Sequence, residues 1–250
     1  MDPQCPTDTP GIWRVRAPPT LKYPFGTDLQ GRDVYSEIVY GARAAFLVGI
    51  GATAIAIVIA VLIGLVAGYS GGWIDNVLMR ITEVFLVLPF LLILIVFLRV
   101  FFIRFPSGVG GLWIVILIIG MFSWSGAARI IRGEVLHVRE FEYIAASRQI
   151  GSSGPRILFR HLFPNVLHII IVLTTLQIAA SILTEAAVSF LGFGDTNTIT
   201  WGQQLTDASA TVKEAWWAGA FPGIFITLLV MGFNLLGNGL RDALDPRLRE

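Results

Sequence analysis

Residues 44–69, AAFLVGIGATAIAIVIAVLIGLVAGY, decide the fold. They lie in a run between Arg43 and Asp75 that holds no charged side chain. A helix needs about 20 mostly apolar residues to cross a hydrocarbon core of about 30 Å, because each residue adds about 1.5 Å along the axis. This run is long enough to cross a bilayer, and its lack of charge suits it to lipid.

Four more segments follow the same logic. The second must begin near Asp75 and reach Leu98, since residues 84–98 alone are too short; it therefore carries Arg80 and Glu83 near one end. The third covers about 112–128, the fourth 166–191 and the fifth 217–240. Lipid offers the backbone no hydrogen-bond partners, so each segment must be helical. The expected class is all-α, a polytopic membrane protein with about five transmembrane helices in this chain. Over all 250 residues, 55% are hydrophobic and only 14% charged, with a mean hydropathy of +0.73, which agrees with burial in lipid.

The charge balance excludes other classes. A net charge of +1 supplies no basic field for nucleic acid. Cys5, the single cysteine, rules out an intrachain disulfide and reads as a free thiol. The three histidines, His137, His161 and His168, have no partner at metal-ligand spacing. The only lysines are Lys22 and Lys213, and neither follows a glycine-rich phosphate cradle, so the chain has no ATPase motif of its own. No Gly-x-Ser-x-Gly nucleophile elbow occurs either. The chain reads as non-enzymatic, without a cofactor or metal of its own.

Arginines orient the spans. Arg129, Arg132, Arg139, Arg148, Arg156 and Arg160 crowd the connection 129–164, and Arg241, Arg247 and Arg249 follow the last span. Both regions belong in the cytoplasm, which puts the C-terminus inside and residues 1–43 outside as an extracytoplasmic segment. Residues 44–250 are then the transmembrane domain. The connection 195–214 has one lysine and no arginine, in accord with an outside position. Two features run against the rule: Arg99 and Arg104 fall in an outside loop, and the proline-rich N-terminal segment carries Arg14, Arg16 and Lys22. An additional helix upstream would resolve the second conflict. Arg80 and Glu83 suit an ion pair at a helix end, Asn234 and Asn238 suit helix contacts, and Trp216 and Trp217 suit anchoring at the headgroups.

The longest cytoplasmic connection contains EYIAASRQIGSSGPRILFRHLFPN (142–165). Residues 134–150 lack proline and glycine and read as one helix, Gly151 ends it, and Ser152 or Ser153 before Pro155 starts a second. Phe159 and Phe163 then share one face, while Arg156 and Arg160 line another. The pattern describes either a helical elbow that docks in a groove of another protein or an amphipathic loop resting on anionic headgroups.

On the fourth segment Thr174, Gln177, Ser181, Thr184 and Glu185 recur at helical spacing. They form either a polar lane for a solute or a set of hydrogen bonds between helices.

The loop resembles the cytoplasmic coupling loop of permease subunits of ATP-binding-cassette importers. That family's pattern is a Glu-Ala-Ala triplet, a glycine about four residues on, and a Leu-Pro-like end; Gly151 and Pro164 match it. The triplet here is Ala145-Ala146-Ser147, so an alanine stands in the acidic position, with Glu142 three residues earlier. YPFGTDLQGRDVYSEIVYGAR (23–43), GYSGGWIDNVLMRITEVFLVLP (68–89) and FNLLGNGLRDALDPRLR (233–249) extend the likeness to the second permease subunit of dipeptide, oligopeptide and nickel importers. The resemblance implies the type I ABC importer permease fold, with one more helix ahead of the FGTD segment. It also implies ATPase subunits that bind the ATP and contact Glu142, Ala145, Ala146, Ser147, Gly151, Arg156 and Pro164. A second permease subunit and an extracytoplasmic solute-binding protein complete the implied assembly, set in the lipid of the cell membrane. An ion-gradient-driven transporter, with Glu185 as its one ionisable candidate, and a non-transporting scaffold are the rival readings.

Overall fold

The computed structural model describes residues 15–104 and 111–244. Cys5, Arg14, Arg247 and Arg249 lie outside them. The described residues form ten α-helices and one π-helical turn, with no β-strand beyond an isolated bridge between Thr27 and Asp33. Three helices are long and apolar enough to cross a membrane, or five if each of two bent pairs is one span.

Helix α1 (Val34–Ser70) is the axis of the molecule. It begins ten residues before the apolar run at Ala44, because Asp33 caps it by accepting from the backbone amides of Tyr35 and Ser36. α1 contributes to all three buried clusters: Val34, Ile38 and Ala45 at one end, Val48 and Ala52 in the middle, and Ala56, Ala60 and Leu65 at the other. Ala52, Ala56, Ala60, Gly64 and Gly68, four apart, make a ridge of small residues that admits another backbone closely. A Cβ on Gly64 would stand 2.8 Å from the carbonyl oxygen of Ala128, and one on Gly68 would stand 2.7 Å from Cβ of Val135.

The second span is not one helix from Asp75 to Leu98. Helices α2 (Gly72–Val87) and α3 (Phe90–Arg104) meet at 85°. The cause is Pro89: the residue before a proline avoids the helical region, and Leu88 is extended at φ −66°, ψ 136°. Arg99 and Arg104, expected in a loop, are on α3. Arg80 and Glu83 do pair, at 3.1 Å, but both are exposed, so the pair adds little stability.

The third span breaks as well. Helices α4 (Gly111–Phe122) and α5 (Ser125–Val138) bend by 41°, and α5 carries on ten residues past Ala128 into the arginine-rich connection. The single helix expected over 134–150 is divided by a turn at residues 139–141, followed by α6 (Glu142–Gln149). Next come α7 (Gly154–Ile157), a π turn (Leu158–Leu162) and α8 (Phe163–Phe190), which together form one 37-residue helical run, Gly154–Phe190.

The far end is closed by α9 (Trp201–Ser209) and α10 (Trp216–Leu244). Trp201 and Trp217 are buried in the chain rather than anchoring at headgroups: their indole nitrogens donate to the carbonyls of Ile38 at 3.0 Å and Thr27 at 3.1 Å. Trp216 is exposed. Residues 15–33 are strapped to this end by Arg32, which pairs with Asp28 at 2.7 Å, Glu37 at 2.9 Å and Asp207 at 3.3 Å. Burial disfavours the Arg32 cation, but these carboxylates outweigh it and raise its pKa.

Candidate functional site

The elbow is built from local rules. Gly151 sits at φ +81°, a left-handed conformation that costs an L-residue with a Cβ energy. There it closes α6: the amide of Gly151 donates to the carbonyl of Arg148 at 3.0 Å, and that of Ser152 to the carbonyl of Ser147 at 3.1 Å. These two bonds are a Schellman termination. Ser153 is the residue before α7, and Pro155 lies in its first turn, where a missing amide costs nothing.

Pro164 explains the π turn. It has no amide to give the carbonyl of Arg160 and its ring would strike that carbonyl, so the preceding turn widens. The amide of Phe163 reaches back five residues to Leu158, and Asn165 Nδ2 donates to the carbonyl of His161 at 2.6 Å. The helix bends its hydrogen-bond pattern without breaking, and the second arm of the elbow runs directly into α8.

Ile144, Ile157 and Leu162 root the elbow in the cluster formed by α1 and α5, each with at most 1% of its surface exposed. The opposite side is bare: Ile150 is 82% exposed and Phe159 62%. Of the residues expected to touch the ATPases, Glu142, Ala145, Ala146, Gly151, Arg156 and Pro164 are exposed, while Ser147 is buried. Phe159 and Phe163 part company, Phe163 packing against the buried cluster. Partial burial raises the pKa of the Tyr143 phenol, whose ring lies 5.9 Å from that of Phe141 and 6.4 Å from that of His161.

Two further arginines of the connection do structural work. Arg132 makes a two-point pair with Asp75, Nε to Oδ1 at 3.0 Å and Nη2 to Oδ2 at 2.5 Å. Arg139 Nη1 donates to the carbonyl of Gly68 at 2.9 Å, a cation at the C-terminal end of α1.

The polar row on α8 divides. Ser181 Oγ lies 3.3 Å from Thr53 Oγ1 of α1, and Glu185 accepts from Ser189 Oγ at 2.6 Å; both are buried between helices. The Thr174 and Thr184 hydroxyls return to their own helix, to the carbonyls of Ile170 and Ala180, each at 2.7 Å. Gln177 is half-buried. Asn234 and Asn238 on α10 are exposed.

A family model described as "Binding-protein-dependent transport system inner membrane component" matches residues 60–250. The dipeptide transport system permease protein DppC of Bacillus subtilis (strain 168) is 42% identical over 234 residues, covering 93% of this chain and 71% of that protein. The oligopeptide transport system permease protein OppC of the same organism is 36% identical over 243 residues, with 97% and 77% covered. The glutathione transport system permease protein GsiD of Pectobacterium atrosepticum is 36% identical over 237 residues, with 94% and 76% covered. Among solved structures, the MetNI methionine ABC transporter in an inward-facing conformation matches with a TM-score of 0.71 over 84% of this chain and 97% of that one. The identity there is 16%, so the likeness concerns the fold. The chain belongs to the binding-protein-dependent transport system inner membrane component family and is a multi-pass membrane protein with an ABC importer permease fold.

Proposed function

We propose that the chain is one of two permease subunits of an ATP-driven importer for dipeptides, oligopeptides or a related solute. An extracytoplasmic binding protein delivers the solute, and ATPase subunits beneath the membrane bind and hydrolyse ATP, which this chain has no motif to do. The C-terminus lies in the cytoplasm with the elbow. The observation that carries the reading is the elbow: an exposed Ile150–Phe159 surface on one side, and on the other a helical run into the membrane without a break.

ATP-driven closure of the ATPase pair would press on α6 and α7, and the continuous helix would tilt α8 between outward and inward access. Glu142, Ala145, Ala146, Gly151, Arg156 and Pro164 form the contact surface, and Ser147 holds α6 from beneath. Gln177, with Thr174 and Thr184, faces the path on α8, while Ser181 fastens that helix to α1 and Glu185 stays buried, held by Ser189 of the same helix. Asn234 and Asn238 add a second polar row, because an amide side chain exposed on a membrane helix needs a partner that lipid cannot supply.

Capture of the chain from its native membranes in mild detergent, with mass spectrometry of what comes with it, tests the assembly. The reading expects an ATPase and a second permease. Recovery of the chain alone, or only with copies of itself, would refute it.

A further inference from the structure

Three arginines of the connection converge on one corner of the molecule, where α1 ends and α2 begins. Arg132 holds Asp75 in the first turn of α2. Arg139 Nη1 donates to the carbonyl of Gly68, and it also lies 3.4 Å from that of Tyr69. Arg148, on α6, places its guanidinium carbon 5.5 Å from the centroid of the Tyr69 ring, within range of a cation–π contact. The second arm of the elbow approaches the same ring. A Cβ added to Gly154 would stand 3.1 Å from the Tyr69 hydroxyl oxygen and 3.4 Å from its Cε1, so the glycine leaves room for the ring to sit against α7. Tyr69 is half-buried and packs on the cluster shared by α1, α5 and the elbow.

Tyr69 is therefore a side chain of α1 that both arms of the elbow approach. We infer that Tyr69 is a positioning residue through which displacement of the elbow reaches α1, in addition to the direct route through α8. This rests on the importer reading above. A push on α6 moves Arg148, and a push on α7 moves Gly154; each bears on one aromatic ring whose backbone is gripped by Arg139. α1 then shifts together with α8 instead of sliding past it. Because α1 supplies residues to all three buried clusters, moving its end repacks the whole bundle.

The test uses the complete transporter, with both permeases, the ATPases and the binding protein, reconstituted in vesicles. Uptake and ATP hydrolysis are measured together for wild type, Tyr69→Ala, Tyr69→Phe and Arg148→Gln. Tyr69→Ala is expected to keep its ATPase activity while uptake falls about tenfold, the size of effect that residues along a coupling route produce. ATP consumed per solute then rises by the same factor. Tyr69→Phe keeps the ring and restores the wild-type ratio, which a merely structural hydroxyl would not explain. Arg148→Gln removes only the cation over the ring and raises the ratio less. If Tyr69→Ala fails to assemble, Arg148→Gln decides alone. A wild-type ratio in Tyr69→Ala, or in Arg148→Gln in that event, overturns the inference, as does equal loss of both activities. Absence of ATP-driven uptake in the wild-type complex would instead overturn the importer reading.

Discussion

Replacing Gly151 separates the shape of the elbow from its contact surface. At φ +81° an alanine costs roughly 1–2 kcal/mol, and a β-branched valine more. Among the described residues, no atom beyond the two adjoining residues lies within 4 Å of a Cβ placed there, so the penalty is conformational and not a clash. It falls on α6, eight residues long and held by Ile144 and Ser147, and leaves the membrane bundle alone. Since 1.4 kcal/mol is a factor of ten in an equilibrium constant, the ratio of native to non-native elbow falls about tenfold in Gly151→Ala and further in Gly151→Val. Uptake by the reconstituted transporter should fall in the same order, with the melting temperature of the bundle unchanged. Asparagine tolerates the left-handed region, so Gly151→Asn keeps the turn while adding a side chain to the exposed surface. If it transports like wild type, Gly151 serves the turn; if it fails like valine, the bare surface itself is needed. Wild-type uptake and ATPase stimulation in Gly151→Val would refute the coupling role.

Other perturbations probe the scaffold and the path. Arg132→Ala strands a buried Asp75 and should destabilise the purified protein by about 1–3 kcal/mol, with Arg132→Lys failing to restore the two-point geometry; thermal unfolding checks both. Gly64→Leu drives a side chain against the Ala128 carbonyl and should cost at least about 1–3 kcal/mol, visible as a lower melting temperature. Ser181→Ala should lower stability by about 0.6 kcal/mol through the lost bond to Thr53, whereas Gln177→Leu should leave stability intact and reduce uptake. With Cys5 replaced by serine, Asn234→Cys in the assembled transporter should react with a membrane-impermeant thiol reagent; no reaction would remove α10 from the path.

What was legible in the sequence follows from how local its cause is. The uncharged run 44–69 announces a span because burial in lipid depends on composition, and Gly151 and Pro155 mark the elbow because turn and cap chemistry is local. Pro89 also carried its signal, since a proline restricts the residue before it, yet the length needed for a span argued for reading through it. The bend before Ser125 has no proline to mark it, and it arises where α4 and α5 pack along α1. Helix α9 is too short to stand out as a span, although Thr200 offers a cap whose hydroxyl accepts from the Gln203 amide. Tertiary partners were out of reach. Nothing near Trp217 says that its indole will meet the Thr27 carbonyl, and nothing near Arg132 points to Asp75, 57 residues away. The polar row on α8 shows the same limit: spacing put five residues on one side, but only packing decides that Ser181 and Glu185 face neighbouring helices.

The most direct measurement is solute accumulation in vesicles holding the full assembly, compared between ATP inside with ionophores collapsing every ion gradient and an imposed gradient without ATP. The account predicts accumulation in the first condition, dependent on the binding protein outside, and none in the second. Accumulation that follows the gradient and ignores ATP would contradict it.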